Sequence, residues 1–228
     1  VSYVCWCLLK EGMIKENPAL KPLYYAFLPD RVTLSVLKSI PLGFAYKVMD
    51  DMEDFDISKK ETQEEIVENC KRLIIRDMCV STMERVVEHA IVARGDPAFT
   101  HKMFKNVKES SLRKEERLGH SKAAVSMFFT GIRVSFVYHL SVFLVEETYL
   151  LFSWLRQRKE KKEVKLLGMK PSKKNASTSF GKKSLRNLII CVLAILSEGI
   201  GASLGTYLYP GSGAFVGSRM CGAVAYLL

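Results

Sequence analysis

The sequence predicts an all-α integral membrane protein, and three features lead to this prediction. Two stretches in the second half of the chain are apolar over about the twenty residues that a helix needs to cross a bilayer. Between them lie residues 156–186, whose twelve Lys/Arg and two Glu give a net charge of +10, equal to that of the whole 228-residue chain. The last apolar stretch runs into a segment rich in glycine. We therefore divide the chain into a peripheral amphipathic-helix region (1–120), one transmembrane helix with an interfacial extension (121–155), a basic loop (156–186) and a glycine-rich helical hairpin in the membrane (187–228).

The peripheral region begins with a part that we expect to form only short helical or extended pieces. Four of the seven prolines fall within residues 1–49, and each removes a backbone donor and disfavours helix at the residue before it. An apolar segment here is interrupted by Lys38, Pro41 and Lys47, which predicts an amphipathic segment at a surface or interface and not a span. The acidic run that follows, residues 50–56, lacks the glycine of a calcium loop and is predicted to be a solvated loop.

A long amphipathic helix is predicted next. Ser58 and Glu61 have the spacing of a capping box, and apolar residues then recur at every third or fourth position. Gly95 and Pro97 mark the end of this helix. Its apolar stripe is interpreted as a packing face. The histidines of the region share no ligand spacing and are predicted to be structural or exposed: His89, His101 and His120.

The first membrane span is predicted at residues 123–145. This frame encloses Arg133 and His139, whereas a competing frame, residues 134–155, encloses His139 and two adjacent glutamates. One central charge costs about 2.5–3.5 kcal/mol and each Leu, Ile, Val or Phe returns about 0.3–0.6 kcal/mol, so the twelve such residues of the first frame offset its arginine. Arg133 is then an intramembrane charge, for which we expect a partner in protein or water. The alternative is a long buried helix of a soluble domain.

The basic loop has two interpretations. It binds nucleic acid through phosphates, or it marks the side of the membrane that retains positive charge and attracts anionic lipid. Because Phe180 is its only aromatic residue, it lacks the interleaved aromatics of a single-strand reader, and we favour lipid. The residues assigned to anionic lipid, with cardiolipin as the candidate, are Arg156, Arg158, Lys159, Lys161 and Lys162.

The glycines near the end of the chain do not fit a dinucleotide-binding loop. In the segment GIGASLG, residues 199–205, the third glycine comes at the seventh position and not at the sixth. Small residues instead recur at every fourth position, which lets two helix backbones approach closely in lipid. The segment loosely resembles the glycine-zipper hairpins of small membrane proteins. The predicted helix-packing residues on the two sides of a Tyr209–Gly211 break are Ser197, Gly201, Gly205, Gly213 and Gly217.

A charge pair is expected inside this hairpin. Glu198 is the one charged residue of the second predicted span, residues 188–209, and Arg219 follows the break. Folding about residue 211 offsets the two positions by five residues, about 7 Å at the helical rise, which an extended arginine can bridge. Arg133, Glu198 and Arg219 are therefore the predicted intramembrane charges.

These features predict a non-catalytic accessory or structural subunit of a multi-subunit membrane complex, in contact with other membrane-protein subunits and anionic lipid. We expect no catalytic residue, metal, cofactor or nucleic-acid partner, because no motif for any of them fits. A channel or transporter subunit is the alternative, and a soluble nucleic-acid-binding protein is a further one. The residues that would line an ion or proton path are Arg133, His139, Glu198 and Arg219.

The expected membrane is the mitochondrial inner membrane, with the endoplasmic reticulum as the alternative. A first residue other than Met suggests a processed presequence, and a basic loop on the matrix side suits cardiolipin. The positive-inside rule then places residues 156–186 on the cytosolic or matrix side, and residues 1–120 and the Pro210–Gly211 turn on the opposite side.

Overall fold

A computed structural model describes residues 22–50, 60–166 and 176–224. Nearly all of these residues are helical and none lies in a strand, which confirms the all-α prediction. The chain divides into two compact units, Val1–Ala93 and Arg94–Leu228, which we describe separately. A 3₁₀ helix at Leu23–Phe27 precedes seven α-helices in the described ranges: α1 (Pro29–Asp50), α2 (Lys60–Arg94), α3 (Pro97–Met103), α4 (Val107–Leu118), α5 (His120–Leu166), α6 (Ala176–Leu208) and α7 (Ser212–Val224).

The first unit contains α1 and α2, which pack antiparallel. Contacts along α1 meet residues of α2 in reverse order: Ser35 donates to Asp77, Ser39 accepts from Cys70 through its carbonyl, and Lys47 pairs with Glu65 at 2.5 Å. The face of α1 toward α2 is made of small residues, because Ser35, Ser39 and Gly43 are all buried.

The prediction of short pieces is wrong for residues 29–50, which form one helix. Pro41 lies inside that helix and its side chain is exposed. Proline removes one intrahelical hydrogen bond and crowds the carbonyl of the preceding turn, but it leaves the rest of the bonding pattern intact, so the helix continues past it. Residues 1–21 lie outside the described residues.

The long helix α2 ends at Arg94, directly before Gly95, as the sequence predicts. Of the predicted capping box, Ser58 lies outside the described residues, as do residues 51–56 of the acidic run. Of the three histidines in the peripheral region, His89 is buried, whereas His101 and His120 are exposed.

The second unit is built on α5 and α6, which lie antiparallel. Asn187 near the start of α6 donates to Glu147 on α5 (3.3 Å), and the His120 ring at the start of α5 contacts the carbonyl of Tyr207 near the end of α6 (Nε2 to oxygen 2.6 Å). Both helices are long and apolar enough to cross a membrane, α5 through His120–Lys159 and α6 through Phe180–Leu208. By length and composition, the described residues therefore contain two candidate spans.

The third helix of this bundle is α7, which returns along α6 after a turn at residues 209–211. Gly211 has a φ of 85°, a left-handed conformation that glycine adopts without strain. Its N–H donates to Ser111 Oγ of α4 at 2.6 Å, so that α4 lies against the turn. Val107 of α4, Met127 of α5 and Ala214 of α7 form the small apolar core at this end of the bundle.

The predicted basic loop is helical wherever the structure describes it. Residues 156–166 continue α5 and residues 176–186 begin α6, while residues 167–175 lie outside the described residues. Lys, Arg and Glu have high helix propensities, and a run of them does not end a helix as Gly or Pro would. Arg158 also stacks on the Trp154 ring one turn earlier, at 4.0 Å from its centroid. The interpretation of the charge run as a loop is therefore wrong for residues 156–166 and 176–186.

Candidate functional site

Apart from Met127 and three valines, the bundle of α5, α6 and α7 buries small and polar side chains, and many of its large apolar ones are exposed. In water the arrangement is normally reversed, because apolar burial drives folding. In lipid, apolar side chains gain nothing by leaving the hydrocarbon, and small or polar residues occupy the contacts between helices. Side chains buried here include Thr130, Ser135, His139, Ser141, Glu198, Thr206 and Ser218. Large apolar side chains that are exposed include Phe129, Phe136, Leu193, Leu204, Val216 and Met220.

One seam of the bundle joins α6 to α7 through glycines. A Cβ built on Gly201 overlaps the carbonyl oxygen of Gly217, and one built on Gly205 overlaps that of Gly213. The nearest atoms opposite these glycines belong to the backbone, so that neither position has room for a methyl group. Four of the five predicted packing residues thus face one another. The fifth, Ser197, is half-buried and donates to the carbonyl of Ala194 in its own helix (2.9 Å).

A second seam, between α5 and α6, was missed from the sequence. A Cβ on Gly131 of α5 would lie 3.0 Å from the Cα of Gly199, and one on Gly199 would lie 3.1 Å from the carbonyl oxygen of Phe128. Gly199 and Gly201 are two residues apart on a helix and therefore point to different sides of α6. The GIGASLG segment thus carries glycines toward both neighbours. The available signal was Gly131, the one glycine within the first predicted span.

A polar cluster lies where the three helices meet, around the carboxylate of Glu198. Its Oε1 lies 3.2 Å from His139 Nε2 on α5 and 3.8 Å from a guanidinium nitrogen of Arg219 on α7. Its Oε2 accepts a hydrogen bond from Ser218 Oγ at 3.3 Å. Glu198 is 5% exposed and His139 is 1% exposed. The expected pair of Glu198 and Arg219 is therefore in contact, and His139 joins it.

Gly222 of α7 leaves the space that this carboxylate occupies. A Cβ built there would approach the Glu198 carboxylate oxygen Oε1 at 2.6 Å. Neither Ser218 nor Gly222 was singled out from the sequence. Both lie on the same face of α7, four residues apart, and this spacing is the signal that could have found them.

Arg219 lies at the edge of the cluster and not inside it. Its side chain is 54% exposed, and its guanidinium carbon lies 5.8 Å from the Tyr138 ring centroid and 5.9 Å from that of Phe215. The aromatic faces support the cation while one side of it stays accessible.

Arg133 does not join the cluster of His139, Glu198 and Arg219. Its side chain is exposed on α5, and its charge acts on Lys114 of α4. Lys114 donates to the carbonyl of Ser126 (2.8 Å) and to Thr130 Oγ1. Burial, followed by repulsion from Lys105 and Arg133, lowers the pKa of Lys114 from 10.5 to about 8.

The predicted lipid-binding residues lie at the far end of the bundle from the α6–α7 turn. Arg156, Arg158 and Lys159 are exposed at the end of the described side chains of α5. Trp154 and Phe180, whose ring centroids are 5.9 Å apart, join this end of α5 to the start of α6. Exposed Lys182, Lys183 and Arg186 follow on α6. The backbone of Lys161 and Lys162 is helical, and their side chains lie outside the described ones.

No group of three or more His, Cys, Asp or Glu side chains with metal-binding geometry occurs in the part of the chain that the structure describes. Comparisons of the chain with models of protein families, with curated proteins and with solved structures found no match.

Proposed function

We propose that this chain is a non-catalytic structural subunit of a multi-subunit membrane complex, with α5 and α6 crossing the bilayer. The observation that carries the proposal is the inverted distribution of side chains in α5–α7, with small and polar residues inside and large apolar residues outside. Such a surface suits lipid and the helices of other membrane subunits. The two backbone seams make the bundle a rigid unit against which such subunits can pack.

The basic end of the bundle is proposed to bind anionic lipid. Arg156, Arg158 and Lys159 extend α5 beyond its apolar stretch, next to the basic start of α6. Clusters of Lys and Arg beside the ends of membrane helices attract anionic head groups at about 1 kcal/mol per residue. On this ground we propose cardiolipin as the lipid and the mitochondrial inner membrane as the location, with the endoplasmic reticulum as the alternative.

Membrane integration and topology are tested together. We expect carbonate at high pH to leave the full chain in the membrane fraction, because α5 and α6 are held by apolar contact and not by charge. Single cysteines at Ser177 and Ser212, in a background without the six native cysteines, are expected to react with an impermeant thiol reagent from opposite sides of the membrane. Release by carbonate, or labelling of both from one side, would refute the proposed topology.

Subunit partnership is tested by purification in mild detergent with identification of the co-purifying chains. Stable co-purification of defined membrane proteins supports the proposal. Recovery of the chain alone, from a membrane in which it is correctly inserted, would contradict it.

Lipid binding is tested by adding cardiolipin to the purified chain and counting bound lipids by native mass spectrometry. Replacing Arg156, Arg158 and Lys159 by Gln is expected to lower cardiolipin occupancy several-fold. The control variant replaces three exposed lysines elsewhere, Lys71, Lys102 and Lys108, and is expected to leave it unchanged. Equal losses in both variants would mean that net charge alone attracts the lipid.

A channel or transporter subunit is the second candidate function, favoured by the convergence of His139, Glu198 and Arg219 at one point of the bundle. Replacing Glu198 by Gln distinguishes the two candidates. Loss of assembly without a conductance phenotype favours the structural role. Intact assembly with lost ion flux favours transport.

A further inference from the structure

We infer that His139 and Glu198 form a proton-binding site inside the bundle. When His139 binds a proton, it replaces Arg219 as the counter-ion of Glu198. This goes beyond the proposed structural role, because it gives the bundle a state that changes with pH. It rests on the proposed membrane placement only for the low polarity around the helices.

One carboxylate oxygen of Glu198 faces two competing partners, the His139 ring and the Arg219 guanidinium. Oε1 is the atom that lies 3.2 Å from the His139 ring nitrogen and 3.8 Å from the Arg219 guanidinium. The other oxygen is held by Ser218 in either case. Because the two partners belong to different helices, α5 and α7, the partner that Glu198 binds determines which of these helices is held electrostatically to α6.

The net charge of the cluster sets the order of events. With His139 neutral, the charges of Glu198 and Arg219 sum to zero. A proton taken from solvent onto His139 Nε2 brings the sum to +1, and an uncompensated charge is expensive where the dielectric constant is low. Arg219 can relieve this excess because more than half of its side chain is already exposed, whereas buried His139 cannot leave. The proton therefore yields a His139–Glu198 ion pair and releases Arg219 from Glu198.

Other ionisable side chains of the described residues lie around the cluster. The Tyr138 ring of α5 lies beneath Arg219, and Cys191 of α6 donates to the carbonyl of His139 (3.5 Å). The charged Lys114 of α4 contacts α5 at Ser126 and Thr130, more than two turns before His139. Imidazole is the side chain whose ordinary titration falls between pH 5 and 8.

The proton site is tested by nitrogen-15 NMR of the histidine rings in the full chain, reconstituted in lipid nanodiscs. The chain has four histidines, and the signal that disappears in His139→Gln is assigned to His139. Glu198→Gln is expected to lower the proton affinity of His139 at least tenfold, and Arg219→Gln to raise it about tenfold. A His139 signal that does not titrate between pH 4 and 9, or has the same midpoint in all three proteins, would overturn the inference.

The exchange of counter-ions is tested by thermal unfolding at two pH values. Arg219→Gln is expected to lower the melting temperature at pH 8, where Arg219 pairs with Glu198, and to have little effect at pH 5, where it is already released. Adding His139→Gln is expected to abolish this difference. Exposed Arg117 of α4 provides the matched control, Arg117→Gln.

An equal loss from Arg219→Gln at both pH values would show a fixed structural pair and refute the exchange. Arg219→Lys, which keeps the charge, covers the case in which the Gln variant does not fold. Neither measurement depends on a partner complex. The inference can therefore fail while the proposed subunit role stands, and the subunit role can fail while the inference stands.

Discussion

Two helix pairs of this molecule, α1–α2 and α6–α7, use the same packing device against different partners. In each pair one helix presents small residues at four-residue spacing: Ser35, Ser39 and Gly43 on α1, and Gly201 and Gly205 on α6. Opposite Gly43 lies the side-chain sulfur of Cys70, whereas opposite Gly201 lies the backbone carbonyl of Gly217. A side chain can change rotamer or be truncated, but a carbonyl moves only with its helix. The same spacing therefore gives an adjustable seam in α1–α2 and a rigid one in α6–α7.

The outer faces of the two pairs also differ. On α1 the exposed side chains include apolar Leu34, Leu37 and Ile40, while α2 exposes many charged residues, such as Glu68 and Arg72. In α6–α7 both helices expose apolar side chains. Only the second pair has the composition of a membrane hairpin, and α1 keeps the one-sided pattern that predicts an interfacial helix.

The largest expected effect comes from breaking the rigid seam. Gly201→Leu would force α6 and α7 apart by several Å, and we expect the hairpin not to assemble, seen as loss of a monodisperse species in detergent. Gly181→Leu on the same helix is the control, because a Cβ there meets nothing within 4 Å. Normal assembly of Gly201→Leu would mean that this contact does not hold the bundle together.

Opening the adjustable seam should have a smaller and reversible effect. A Cβ at Gly43 would lie 2.5 Å from Cys70 Sγ and 3.3 Å from a backbone nitrogen, so that mainly the sulfur is in the way. We expect Gly43→Ala to destabilise the chain by about 1–3 kcal/mol, the usual range for overpacking, measured by chemical denaturation.

Cys70→Ala removes that sulfur and is expected to rescue Gly43→Ala in the double variant. No side-chain truncation can rescue Gly201→Ala, because the overlapping atom belongs to the backbone. If Cys70→Ala does not restore stability, the two seams are equally rigid and the comparison fails.

The local pattern of the sequence predicts the helices better than the contacts between them. The end of α2 before Gly95 and the break at Tyr209–Gly211 follow from turn residues, and both agree with the structure. The continuity of α1 through Pro41 was missed because a proline disfavours helix locally. The packing of the whole helix stabilises it by more than the proline destabilises it.

The candidate site was only partly predictable for a related reason. A four-residue spacing shows that a helix face is made of small residues, but it does not show which helix packs against that face. The contact of Gly199 with α5 was therefore missed, whereas the packing role of Gly201 was predicted. The contact of His139 with Glu198 joins residues far apart in sequence and has no local signal at all. Conversely, Arg133 attracted attention as an intramembrane charge, yet only the fold reveals that it faces outward.

The contact of α4 with α5 extends the comparison to a third kind of seam, in which the amine of Lys114 donates hydrogen bonds to α5. This lysine donates to Ser126 and Thr130 of α5 at the end of the bundle where Gly211 is bound. Its folded pKa of about 8 lies below the ordinary 10.5. The folded state therefore disfavours the charged form, and the seam is weakest when Lys114 is fully protonated.

Titration of Lys114 is expected to change stability less than either glycine substitution does, and the direction of the change with pH is defined. Below about pH 8 both states of the chain hold the proton on Lys114, and its burial cost is fully present. Between about 8 and 10.5 the unfolded chain binds more protons than the folded one, so that stability rises with pH. Because Lys114 is only partly buried, solvent screening reduces the gain to about 1 kcal/mol, or roughly 2–4 °C in melting temperature.

Lys114→Met is expected to flatten this rise, whereas Lys108→Gln, on the exposed face of α4, leaves it in place. A rise that persists in Lys114→Met would assign the pH dependence to another group and leave α4 held by Val107 and Ser111.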